Sequence, residues 1–384
     1  MSTDTCILCH TDRLSIIEGK EPLVGVTSDG KPWPRMANLM LCKKCSHVQK
    51  RLDEDWFSDT AEIYHQYEMY PLSNGSEQAI FNEHGSMSRT AKLLEQLSSE
   101  VDIPSQGRLL DVGCGNGSFL SAFLKAYPEW QLFGFEQSDA CRKSVLKIRG
   151  VEGFYSGDLE AIDGKYDIIT LIHVIEHLFN PIDIMSYIRN LLAPGGIVLI
   201  QTPNLLTNPF DVVVADHCSH FYIDTLAYVA EVAGFRVHHT SDKWIPKEIS
   251  LVASPVVKDA LSVTVPRVSK KNITKGTIVW LNNVIGHARI SFGNKRFGVF
   301  GTSNAGTWLA ACLFDKVDFF VDEDPLKHGK KHMGIPILTP SEVGPDAVVY
   351  LAFPFDIAKI IFNRLQAIYP YITFVKPPIL NSSI

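Results

Sequence analysis

The sequence predicts an α/β chain made of two Rossmann-like sheets behind a small cysteine-clasped segment. Three observations carry that expectation. An apolar strand at residues 109–112 runs into the alternate glycines Gly113, Gly115 and Gly117 and then into a helix at 118–127, the backbone pattern of a nucleotide site. A second strand begins at residue 296 and leads through Gly301 and Gly306 into another helix. Two Cys-x-x-Cys pairs, Cys6 with Cys9 and Cys42 with Cys45, mark the N-terminal segment. A chain of 384 residues exceeds one ordinary core, so three units are expected, at 1–75, 76–253 and 254–384.

Charge and composition narrow the function classes. The formal net charge is −6, and no basic run extends beyond Lys270 with Lys271 and Lys330 with Lys331. Nucleic acid is therefore disfavoured as a partner. The N-terminus has no apolar signal core and no stretch is long and apolar enough to span a bilayer, so the expectation is a cytoplasmic protein with no membrane partner. Eight cysteines in a reducing compartment read as metal ligands and core residues rather than as a disulfide framework.

In the first unit, Cys6, Cys9, Cys42 and Cys45 supply four thiolates in two close pairs, the donor set of a closed tetrahedral zinc site with a structural role, as in a zinc ribbon. The scattered Cys114, Cys141, Cys218 and Cys312 read as core residues. Residues 64–76 then bring Tyr64, Tyr67 and Tyr70 among turn formers. That stretch reads either as a plain surface loop or as a lid over a polar substrate.

The middle unit opens with helical periodicity over 79–101 and continues with βα alternation as far as residue 200. Right-handed crossovers then give one parallel sheet covered by helices on both faces, with its ligand at the carboxyl ends of the strands. Asp111 precedes the glycines, the next strand (131–136) ends at Glu136, and Asp158 follows the third. Carboxylates there suit ribose hydroxyls and an ammonium group better than a pyrophosphate. The fourth strand, 165–173, ends at His173 and delivers Glu176 and His177 to the ligand side. Further on, Asp216 and His217 form an acid-imidazole pair in a loop at the edge of the sheet, a candidate for general base chemistry because imidazole titrates near neutrality and a carboxylate orients it.

Asp111, Gly113, Gly115 and Gly117 together resemble motif I of the class I S-adenosylmethionine (SAM) methyltransferases. The resemblance implies a SAM methyltransferase Rossmann-like core in which Glu136 binds the ribose diol, Asp158 lies near the adenine amino group and His173 borders the cofactor. It extends further. Four N-terminal cysteines, a tyrosine-rich lid, Glu-His after strand four, an acid-His loop with a trailing Ser-x-Phe and a second Rossmann-like domain occur in the same order in the sugar C-methyltransferases of deoxysugar biosynthesis. Members methylate a keto-sugar carried on a nucleoside diphosphate, using a histidine base. By that resemblance Tyr70 is the lid tyrosine, His177 the strand-four histidine, His217 the base and Asp216 its orienting acid. Two departures fall in the substrate half. The family's Tyr-x-Glu-His is here Val214, Ala215, Asp216 and His217, and its Gly-Gly-Ser segment is replaced over 244–250.

The third unit adds a polar linker (254–275), a helix to about residue 291, and the strand and glycine turn at 296–306. A second strand ends at Asp322, about where a dinucleotide fold holds its ribose. The turn lacks a middle glycine and the family uses this domain without a redox cofactor, so no NAD is expected. The segment 322–330 also resembles the family and reads either as a reach toward the nucleotide-sugar or as a charged turn, and the turn is the expectation. Function is thus expected to be C-methylation of a nucleotide-linked keto-deoxysugar. Methylation at O or N of a related sugar or polysaccharide precursor is the alternative, and a non-catalytic scaffold stands third.

Overall fold

The computed structural model describes residues 5–17, 23–68, 71–73, 79–82, 85–256, 263–266 and 271–380. Tyr70, the expected lid tyrosine, lies outside them. Three main sheets organise the chain.

The central sheet has seven strands, numbered here by chain order: Arg108–Val112, Gln131–Glu136, Val151–Ser156, Tyr166–Ile172, Leu192–Pro203, Phe235–Ser241 and Glu248–Pro255. They lie side by side in the order three, two, one, four, five, seven, six. The first five pair in parallel. The expectation of an all-parallel sheet needs correction, because the seventh strand is antiparallel to both the fifth and the sixth. Only six residues separate the sixth strand from the seventh. A link that short makes a hairpin, whereas a parallel return needs a crossover of a dozen residues or more.

A second correction concerns 79–101. Residues 79–88 are a hairpin, Ala79–Asn82 against Gly85–Ser88, and the helix begins only at Arg89. Ser88 stops the strand and starts the helix, since its side chain accepts the Ala91 N–H in the N-cap position. The apolar face of that helix, Leu93, Leu94 and Leu97, is buried against Phe119 and Phe123 of the helix Ser118–Ala126.

The N-terminal sheet contains Leu14–Ile16, Leu39–Cys42 and Val48–Lys50. Its fourth strand is borrowed. Ser219–His220, from the loop between central strands five and six, pairs antiparallel with Val48 and Gln49. The rest of that loop is absorbed too: Phe210, Val212, Val213 and Val214 share one core with Leu39, Leu41 and Val48 and with Trp280 and Trp308. Those tryptophans belong to the helices Lys271–Ser291 and Asn304–Leu313, which flank the C-terminal six-stranded sheet. Phe210 meets both indoles edge-on, at 5.3 and 5.6 Å. Among the described residues, no helix is long and apolar enough to cross a membrane.

Candidate active site

The carboxyl ends of the first, second and fourth central strands open into a cavity of about 1170 Å³. Its near wall is the glycine turn. Gly113, Gly115 and Gly117 have φ of +72°, +55° and +84°, the left-handed region in which a side chain is strained. A Cβ on Gly113 would come 2.3 Å from Val174 Cγ2, so substitution there would force the turn or Val174 to shift.

Three carboxylates border this end. Asp111, buried at 2% exposure, accepts the Thr170 hydroxyl at 2.6 Å. Burial lifts it to about 7 against that bond. Glu136 accepts the Gly115 N–H at 2.7 Å. Its burial raises it as well, with the Gly115 and Gln137 N–H groups opposing. Asp158 is exposed at the cavity edge.

His173 sits at the end of the fourth strand with φ +55°, a rare value for a residue with a Cβ. Its ring is held between Glu176 (Nδ1 to Oε1, 3.1 Å) and Glu248 (Nε2 to Oε1, 3.2 Å). Burial and Arg89 push its pKa down, but the two glutamates outweigh them and bring it to about 8. Arg89 in turn grips Glu248 with Nε and a terminal nitrogen, both at 2.9 Å. Neither Arg89 nor Glu248 was legible as a site residue, because they lie 159 positions apart.

The far half holds the imidazoles. His177 and His217 stack edge to face with centroids 4.6 Å apart, and both line the cavity. Tyr64, in the last turn of the helix Glu54–His65, places its hydroxyl 3.0 Å from His177 Nδ1. The orienting acid expected from the sequence is wrong. Asp216 turns away from His217 and accepts the Ser28 N–H at 2.8 Å and hydroxyl at 2.5 Å, with Oδ2 3.5 Å from His177. His217 Nδ1 instead meets Asp211 Oδ1 at 2.8 Å. The main chain explains this, since Ala215 and Asp216 form a turn whose Ala215 N–H is fixed on the Val26 carbonyl at 2.7 Å, which brings the Asp216 carboxylate to Ser28.

At the C-terminal end the cavity reaches Thr302, Ser303, Asn304, Lys327 and His332. Asp322, the expected ribose position of a dinucleotide fold, has its carboxylate taken up by Thr302 N–H (3.2 Å), Thr302 hydroxyl (2.8 Å) and Lys327 (3.0 Å). Away from the cavity, the four thiols Cys6, Cys9, Cys42 and Cys45 converge so that all the sulfurs lie within 4.8 Å of one another, an arrangement able to hold a metal ion.

Residues 81–240 match the family described as a methyltransferase domain. This stretch is a class I SAM-dependent methyltransferase domain. Its glycine cradle and bordering carboxylates fit SAM, whose approach requires a backbone without side chains at the turn. Similar proteins include trans-aconitate 2-methyltransferase of Acidovorax sp. (strain JS42), 27% identical over 35% of this chain and 54% of that protein. C-methyltransferase NovU of Streptomyces niveus is 23% identical over 62% of this chain and 58% of its own length. The chain thus spans little more than half of these relatives. The solved mitomycin 7-O-methyltransferase MmcR aligns over 51% of this chain and 60% of that one, at 18% identity and a TM-score of 0.41.

The Arg89–Glu248–His173 cluster carries a pH signature. Burial raises the Glu248 pKa, but Arg89 and His173 overcome it and hold it at about 2. A carboxyl depressed on folding contributes its stability above the unfolded value, about 4.3, and loses it as pH falls toward the folded one. Urea unfolding at stepped pH is expected to show the wild type losing on the order of 3 kcal/mol more than Glu248→Gln across that window. Parallel curves for the two proteins would remove the cluster from the acid response.

Proposed function

We propose that this chain is a SAM-dependent C-methyltransferase that acts on a keto-deoxysugar carried on a nucleoside diphosphate, with His217 as general base. The observation that carries the reading is a cavity-lining imidazole held by a buried carboxylate, in the same cavity as the glycine cradle. The similarity to a relative named as a C-methyltransferase supports carbon as the acceptor. The donors at the far end, Ser303, Asn304 and Lys327, support a phosphate-bearing substrate.

SAM, when bound, supplies an electrophilic methyl group. Glu136 takes the ribose hydroxyls and Asp158 the adenine edge, while Asp111 and His173 border the same end. With Nδ1 of His217 committed to Asp211, Nε2 is the nitrogen that accepts the proton from the carbon next to the ketone. The C–H electron pair passes into the sugar as an enolate, whose carbon would take the methyl group as the methyl–sulfur bond breaks, that bond's electron pair leaving on the sulfur of the demethylated cofactor. His177, with Tyr64 beside it, faces the acceptor, and Tyr70 is assigned to the same end from the sequence pattern. Hydrogen bonds from such groups favour the oxyanion.

The four cysteines hold one structural zinc in this reading. Thiolates about 2.3 Å from a tetrahedral ion sit about 3.8 Å apart, and the Cys6–Cys45 and Cys9–Cys42 sulfurs lie 3.5 Å apart. A second reading, methylation at O or N, is favoured by the acid-His loop, which lacks the family's tyrosine and carries the shorter acid. That chemistry needs one base or proximity alone.

Four outcomes are expected. Calorimetry on Glu136→Ala should show SAM binding weakened by roughly 1.5–3 kcal/mol, the worth of charge-assisted hydrogen bonds; unchanged affinity removes Glu136 from the ribose. Metal analysis of protein purified without chelators should give one zinc per chain, and a value near zero ends the zinc assignment. His217→Ala should lose on the order of 10²–10⁴-fold in turnover while keeping SAM affinity. Wild type in deuterated water should exchange the substrate's α-proton and the variant should not. Methyl transfer without any exchange would move the assignment to O or N.

A further inference from the structure

Asp211 binds two imidazoles at once. Its Oδ1 lies 2.8 Å from Nδ1 of His217 and its Oδ2 lies 2.6 Å from Nδ1 of His220, with the carboxylate side chain 1% exposed. An ionised carboxylate only accepts, so both Nδ1 atoms carry hydrogen. The neutral His217 ring is then forced into the Nδ1–H form, and Nε2 is left with a lone pair.

What fixes the carboxylate is equally specific. His220 is fully buried on the strand Ser219–His220, which the N-terminal sheet holds through Val48 and Gln49. Lys50, also fully buried, donates its ammonium to the carbonyl of Val212, next to Asp211. Burial lowers the lysine to about 7, with Asp211 and Asp216 opposing. Asp211 itself is held well below the usual carboxylate range: burial opposes this, and His220 and His217 overcome it.

We infer that Asp211 is the positioning residue for His217, setting the tautomer and direction of the ring from a scaffold that belongs to the N-terminal sheet rather than to the methyltransferase domain. The inference rests on His217 being the base. Asp216, adjacent in sequence, serves the Ser28 turn and does not orient that ring. The charged and titratable groups facing His217 are Asp211, Glu176 and Asp216 on the acidic side and His177 and His220 on the other. Burial lowers the His217 pKa, yet the Asp211 bond and charge raise it above the ordinary value.

The test uses the full-length protein labelled with ¹⁵N-histidine, without substrate, and identifies the His217 signals by their loss in His217→Gln. In the wild type, the neutral ring should show a protonated Nδ1 and an unprotonated Nε2. Asp211→Asn should lower the His217 titration midpoint more than Asp216→Asn does. With an active acceptor, Asp211→Asn should lower turnover on the order of 10²–10⁴-fold and move the acid limb of its pH profile downward, with SAM affinity within twofold of wild type. A merely structural role would not move that limb. An Nε2–H tautomer in the wild type overturns the inference, and so does a midpoint that follows Asp216 instead. If Asp211→Asn does not fold, the wild-type tautomer decides alone. Full turnover in His217→Ala would defeat the base reading separately, since the tautomer is read without catalysis.

Discussion

A buried charge has to be met from every side, and the carboxylate of Asp211 is met by His217, His220 and, close by, Lys50. Leaving any such group unpaired in the interior costs several kcal/mol. The loop that carries it therefore has few alternatives. Once Lys50 and the Val48–Lys50 strand are in place, Ser219 and His220 must pair with that strand, and His217 must stand where Asp211 can reach it. The apolar residues of the loop agree with the polar ones, because Phe210, Val212 and Val213 enter a core shared with both outer sheets. The pairing of the Asp211 carboxylate and the apolar burial point to the same conformation, which is what specifies a single structure.

Local chemistry was legible in the sequence and tertiary partnership was not. The glycine turn announces itself because strand, turn and helix are contiguous and their period changes within a dozen residues. The two cysteine pairs announce themselves because metal ligation demands close spacing. The hairpin at 79–88 escapes this kind of reading: its residues fit a helical period, and only the Ser88 cap marks the true helix start. Asp211 escapes for a different reason. Two acids precede His217 at different distances, and the nearer one is turned away by a loop whose direction is set by Val26 and Ser28, almost two hundred residues upstream.

The segment that departs from the family pattern, 244–250, has its own structural logic. Trp244 and Ile245 are buried against the helix and strand side chains of the central unit. Lys247 takes a left-handed φ of +71° and its successor Glu248 is thereby delivered to Arg89 and His173. A strained His173 is held in place by two carboxylates and their arginine. Strain of this kind persists only where its surroundings over-determine it, and here it adjoins the cofactor cradle.

The borrowed strand Ser219–His220 separates two kinds of boundary that usually coincide. By chain order the loop from 204 to 222 belongs to the central unit. By burial and hydrogen bonding it belongs to the N-terminal sheet, through the Lys50 N–H on Cys218, the Tyr222 hydroxyl on Ser46 and the Trp56 indole on Ala215. Excising the central unit at its sequence limits would leave the SAM cradle whole while exposing Phe210, Val212, Val213 and Tyr222 to solvent as one adhesive face. The smallest heritable module that keeps this loop covered therefore runs unbroken from the N-terminal sheet through the central unit, and recombination that exchanges either part alone separates Lys50 from the Val212 carbonyl beside Asp211.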